Sequence, residues 1–190
     1  MSFTLSVCSI QILILLTLFF RQQSTSYDGY LDEWISLSDL PEIDIEYLGR
    51  KIDYNTYLKF DKTKFEPNVG FTAKPTKYYT LILTDLDAKS SDTNNRETYH
   101  WVVVNIKGND LSTGNRWFDY RSPTPNPVLG WARYYFFVFE QKGLISLDEP
   151  IIISTNKEGR GSKNSLEFAK KYDLNRPVSM MMFLSVTKED

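Results

Sequence analysis

Four short apolar or aromatic runs constrain the fold more than anything else in the chain: Tyr78 to Asp85 (YYTLILTD), His100 to Ile106 (HWVVVNI), Arg133 to Gln141 (RYYFFVFEQ) and Val178 to Val186 (VSMMMFLSV). Each has the length of a buried strand rather than of a core helix, and turn-forming residues punctuate them, with Lys74-Pro75-Thr76-Lys77 before the first, Lys107-Gly108-Asn109-Asp110 after the second and Lys142-Gly143 after the third. Ile43 to Leu48 (IDIEYL) alternates apolar and polar residues at period two, as a half-buried strand does, and Glu149 to Ser154 (EPIIIS) predicts a further strand. Ser165 to Tyr172 (SLEFAKKY) reads as a helix, with Ser165 as its N-cap and Pro177 beyond its end, and a short helix is expected around Asp32 to Leu37 (DEWISL). Many short strands with a single late helix imply an antiparallel β-sandwich or barrel, not alternating βαβ units.

The N-terminus is of another kind. Leu5 to Phe20 is an apolar run shorter than a spanning helix needs, and the small residues Ser24 to Ser26 follow it, which predicts a cleaved secretory signal over residues 1–26 and a single domain over 27–190. Because no Lys or Arg precedes the run and Arg21 follows it, a signal-anchored membrane protein is the alternative. The only cysteine, Cys8, falls in this leader, so the processed chain is expected to have neither disulfides nor a cysteine metal site. Formal charge is −2, and removing Arg21 with a leader that carries no acid gives −2 − 1 = −3, which argues against nucleic-acid binding.

Asp85 and Asp87 close a predicted core strand one residue apart, and the chain's only histidine, His100, opens the next. Two residues apart on an extended strand share a face, so the carboxylates would stand side by side and need a shared proton, cation or donor. A strand end whose acids bond neighbouring amides fits the same spacing, as does a hydrogen-bonded structural histidine. Ser122 to Pro127 (SPTPNP) alternates prolines into a stiff extended loop, and strand alternation puts Tyr134 on one face with Ala132 and Phe136. No second histidine for a zinc site, no Gly-x-Ser-x-Gly elbow, no phosphate loop and no dinucleotide fingerprint is present, so no catalytic residue, metal or cofactor is expected.

Taken in order, YYTLILTDLDA, RETYHWVVVNIKGNDLSTG, DYRSPTPNP, GWARYYFFVFEQ, DEPIII and SLEFAKKYDLNRPVSM resemble the phosphatidylethanolamine-binding protein family over Phe65 to Met180. The resemblance implies a Greek-key antiparallel β-sandwich with few short helices and a small pocket for phosphate-type anions. It places the family's Asp-Pro-Asp-Ala-Pro motif on Asp85 to Lys89, its pocket histidine on His100, a pocket tyrosine on Tyr120, a rim proline on Pro125 and the tyrosine of its His-Arg-Tyr motif on Tyr134.

This chain departs from that pattern. Leu86 and Lys89 replace the two prolines of the first motif, with Lys89 at the expected mouth, Ala132 stands where the family usually has a second histidine, and Thr98 replaces a common tryptophan. The chain ends at Asp190, near where many animal relatives begin a covering helix, so a more open pocket with weaker anion affinity is expected. The resemblance implies a secreted, non-enzymatic binder of a phospholipid headgroup or phosphorylated small molecule, with peripheral membrane contact possible. In that reading His100 donates to phosphate, Tyr120 and Tyr134 offer hydroxyls, and Asp85 and Asp87 orient His100, bond a protonated phosphate oxygen or pair with an ammonium. The alternative is an inhibitor of a serine protease or a kinase acting through the proline-bearing loop.

Overall fold

The computed structural model describes residues 40–88, 96–125 and 130–187. The expected leader, Cys8, the helix around Asp32 to Leu37, Lys89 and the loop residues Asn126 and Pro127 lie outside them.

Among the described residues, nine strands form two sheets. The small sheet has the order β2-β1-β4, from β1 (Asp44–Tyr47), β2 (Arg50–Ile52) and β4 (Asn68–Gly70), all antiparallel. The large sheet has the order β3-β9-β8-β5-β6-β7, from β3 (Thr56–Lys59), β5 (Tyr78–Asp85), β6 (Thr98–Lys107), β7 (Asn115–Phe118), β8 (Trp131–Gln141) and β9 (Ser179–Val186). It is antiparallel except at its edge, where β3 runs parallel to β9, a pairing no local sequence signal announces. The core lies between the sheets. Ile45, Tyr47 and Ile52 of the small sheet pack with Leu81, Leu83, Trp101, Val103, Tyr134, Phe136, Met181 and Phe183 of the large one.

The other face of β6 and β7 is covered by α1 (Ser165–Lys171), whose Phe168 stacks on Trp117 and meets Tyr99 edge-on. Residue 164, not the expected Ser165, caps this helix. The Asn164 side chain accepts from the Glu167 amide, while the Ser165 hydroxyl and amide both donate to the buried Glu97, which leaves the serine no role as a cap.

The strand expected at Glu149 to Ser154 does not form. Only Ile152 pairs, with Phe118, and Ile151 and Ile153 are exposed. The Ile152 carbonyl accepts from the Asp119 amide in that bridge and also from the guanidinium of Arg160, and the Ile153 carbonyl, which a longer ladder would have used, accepts from the same guanidinium.

Turn chemistry fixes two close approaches. Gly108 takes φ +60° after β6, as its place in Lys107 to Asp110 predicts. Gly114 is pressed so closely against β6 that a Cβ there would lie 2.5 Å from Val103 Cγ1 and 2.9 Å from Ile106 Cγ1.

Candidate functional site

At one end of the large sheet, three of the expected residues converge on its inner face. Asp85 ends β5 directly opposite Tyr134 of β8, and beyond Tyr134 in the same row stands Phe183 of β9. His100 of β6 reaches the row by an irregularity. Leu83 is opposite Trp101 and Thr84 opposite Tyr99, so His100 is the extra residue of a β-bulge. Tyr99 packs on Phe118 and Phe168 on the helix side, whereas Trp101 lies in the inter-sheet core. The bulge turns His100 inward beside Trp101, and its ring meets the Tyr134 ring edge-on with centroids 5.2 Å apart.

The bulge is braced from below. The His100 carbonyl accepts from the Arg121 amide at 2.8 Å and from Arg160 Nη1 at 3.3 Å. Arg160 is almost wholly buried with no carboxylate partner among the described residues, and donates to the carbonyls of Tyr99, His100, Asp119, Ile152, Ile153 and Asn156. Burial lowers its pKa to about 10, so it remains a cation at neutral pH. The sequence reading passed over Arg160, which sits in a loop (EGRGS) between the segments DEPIII and SLEFAKKYDLNRPVSM and belongs to neither.

His100 Nδ1 lies 3.0 Å from the Arg121 carbonyl, which only accepts, so this nitrogen carries the proton. Nε2 makes no hydrogen bond among the described residues. Burial first, with the positive charges of Arg160 and Arg121, lowers the ring's pKa to about 4, although the Arg121 and Ser122 carbonyls oppose this. At neutral pH the ring is therefore uncharged and offers an acceptor. The Arg121 carbonyl, and not an aspartate as expected, is the group that orients the ring.

The two carboxylates have separate duties. Asp85 is buried, and desolvation pushes its pKa to about 7, with the neighbouring charge of Asp87 adding to the rise against hydrogen bonds from the Asp87 and Ala88 amides. It is poised to hold a proton near neutrality. Asp87 faces Arg133, which donates to it from its backbone amide at 2.8 Å and from Nε and Nη2 at 3.0 and 2.8 Å. Both Asp87 oxygens are thus occupied by a neighbour that the sequence reading treated only as the residue before Tyr134.

Of the two other expected residues, Tyr120 lies in the inter-sheet core. Its hydroxyl donates to the Thr63 carbonyl at 2.6 Å and lies 3.2 Å from the Tyr47 hydroxyl, so its proton is spent inside the protein. Pro125 is buried at the end of the segment 121–125, which is pinned to β6 through Arg121. The Thr124 backbone lies by the Tyr134 hydroxyl and opposes the rise in pKa that burial causes there.

Tyr134 Oη, Ser185 Oγ, Trp101 Nε1 and Trp117 Nε1 are the buried side-chain polar atoms without a hydrogen-bond partner among the described residues. An orphaned buried group of this kind costs about 1–3 kcal/mol. Among the described residues no cluster of three or more His, Cys, Asp and Glu side chains is arranged to hold a metal, and no helix is long and apolar enough to cross a membrane.

Comparison with known proteins places this arrangement. The family model described as phosphatidylethanolamine-binding protein matches residues 46–183, which takes in both sheets and every expected site residue. The chain belongs to the phosphatidylethanolamine-binding protein family. Among its relatives, "Putative odorant-binding protein A5" of Drosophila melanogaster is 30% identical over 64% of this chain, and the match spans 59% of that protein's length. Protein MOTHER of FT and TFL1 homolog 2 of Oryza sativa subsp. japonica is 33% identical over 73% of this chain and 78% of its own. Among solved structures, a carboxypeptidase Y inhibitor complexed with its cognate proteinase superposes with a TM-score of 0.65 at 21% identity, covering 87% of this chain and 94% of that one. At that identity the likeness shows the shared fold.

Proposed function

We propose that this family member is a non-enzymatic, secreted binding protein whose ligand carries a phosphate group, as a phospholipid headgroup or a phosphorylated small molecule does. The observation that carries this reading is the row of Asp85, Tyr134 and the bulged His100 on one inner face. It offers a protonatable carboxyl, a hydroxyl without a partner and an uncharged imidazole acceptor. Asp85 in its acid form donates to a phosphate oxygen, which removes the repulsion a carboxylate would exert. His100 Nε2 accepts from a ligand O–H or N–H. Asp87 holds Arg133 and the end of β5 in place instead of meeting the ligand. No step of covalent chemistry is assigned to the site. Titration calorimetry with phosphoethanolamine on the wild type and on His100→Ala tests it: the variant binds at least tenfold more weakly, and equal affinities would remove the site.

The likeness to a carboxypeptidase Y inhibitor supports a second reading, inhibition of a protease through the segment that begins at Ser122. Assay of serine proteases and serine carboxypeptidases against the wild type and Pro125→Gly decides it. Inhibition that weakens in the variant supports this reading, and no inhibition at micromolar protein dismisses it.

A further inference from the structure

The end of the large sheet opposite the Asp85–Tyr134 row carries a charged surface that the proposed function does not use. Arg176 stands just before β9, Lys142 follows β8, Lys77 precedes β5 and Lys107 ends β6. These strands are consecutive neighbours in the sheet and alternate in direction, so all four cations come to one end. Neighbouring strands lie about 4.8 Å apart, which makes the row roughly 15 Å long. Two open clefts lie along it. One, of about 320 Å³, is lined by Lys77, Lys142 and Arg176 together with Glu140 and Asn175, and the other, of about 230 Å³, by Lys107 together with Asn109 and Asp110.

These cations are accessible to solvent. Side-chain exposure is 44% for Lys77 and 61% for Lys142, and Arg176 and Lys107 are exposed residues. Lys77 lies 3.2 Å from Glu140 and Lys142 lies 2.6 Å from Asp173, but exposed pairs of this kind hold their partners weakly. The Arg176 guanidinium and the Lys107 ammonium have no acidic partner among the described residues. Asp110, the acid nearest Lys107 along the chain, has one carboxylate oxygen taken by the Ser112 amide and hydroxyl.

Such a row matches a linear polyanion. Among the described residues no aromatic side chain lines either cleft, so bases would find nothing to stack on, which disfavours a single-stranded nucleic acid. The row crosses strand ends instead of following a sheet edge, where an acidic peptide would add as a further strand. The Asn175 and Asn109 side chains, each able to donate and accept, suit sugar hydroxyls between anionic groups. We propose that this end of the sheet is a second binding site, that its ligand is a sulfated polysaccharide, and that Arg176 and Lys107 are its principal anchors. The inference goes beyond the phosphate-site reading and does not depend on it.

Fluorescence anisotropy with a labelled heparin oligosaccharide over a salt series tests it. The wild type binds the oligosaccharide, and log affinity falls against log salt with a slope of about −2 to −4, near one unit per cation engaged. Arg176→Gln and Lys107→Gln each weaken binding about threefold to tenfold and flatten the slope by about one unit, a change that a folding defect would not produce. Lys51→Gln, on β2 of the small sheet, alters neither quantity, and His100→Ala binds the oligosaccharide as the wild type does. No binding at low salt, or wild-type binding by both row variants, overturns the proposal and leaves the phosphate-site reading standing. Equal binding of the unsulfated polymer heparosan, or tighter binding of poly-glutamate or of an oligo-dT strand, overturns it as well, because the row then serves a partner of other chemistry.

Discussion

Burial opposes the charge on both His100 and Asp85, yet the two titrate in opposite senses. The histidine holds a pKa of about 4 in the folded chain against 6.5 when free, so between those values the unfolded chain takes up a proton that the folded one refuses, and stability falls as pH drops. Asp85 holds about 7 against 3.8, so over its interval the folded chain keeps a proton that the unfolded one gives up, and stability falls as pH rises. The slopes oppose each other across the same window. Wild-type stability is accordingly expected to be nearly flat between pH 4.5 and 6.5, His100→Gln to lose stability as pH rises and Asp85→Asn to gain it, by roughly 1–3 kcal/mol across the window. Urea unfolding at three pH values checks this, and two variants that both keep the wild-type profile would show that neither group is linked to folding. The spacing of the two aspartates was visible in the sequence, but the division of labour between them was not, because it is set by Arg133 and by a register that joins strands some fifty residues apart.

At the scale of elements, the strands with the strongest patterns were legible nearly to the residue: β5 is the expected Tyr78 to Asp85, and β8 extends the expected run by two residues at its start. The edge strands β2, β3, β4 and β7 were not, since three or four residues with mixed burial carry no period. The bulge at His100 was equally hidden, because regular alternation cannot announce the one residue that breaks it. Its support is testable. Arg160→Met leaves six carbonyls without their shared donor and is expected to cost about 3–5 kcal/mol by urea unfolding. Arg160→Lys recovers only part of this, because an ammonium lacks the planar fork. A loss under 1 kcal/mol for the methionine variant would show that the carbonyls find other partners and that the bulge does not depend on the guanidinium.

Across the described molecule, one core joins the small sheet to the large, with Tyr47 of the former edge-on to Phe183 of the latter, centroids 5.9 Å apart. The small sheet therefore has no hydrophobic interior of its own. Ile45→Ala, at a fully buried position on β1, is expected to lower global stability by about 2–5 kcal/mol in a single transition with an unchanged urea slope. A separate early transition would show that the small sheet melts independently. The fold class was readable from strand-length runs and turns, whereas the parallel β3–β9 edge was not, because pairing between the ends of a chain leaves no local trace. The carbonyl cage around Arg160 also bears on inheritance and truncation. A fragment cut at residue 150 would carry both acids, the imidazole and both tyrosines, and would still be unable to present them, having lost the guanidinium that locks the imidazole's backbone and the strand that flanks Tyr134. Copying the acids, the imidazole and the tyrosines would not copy their arrangement.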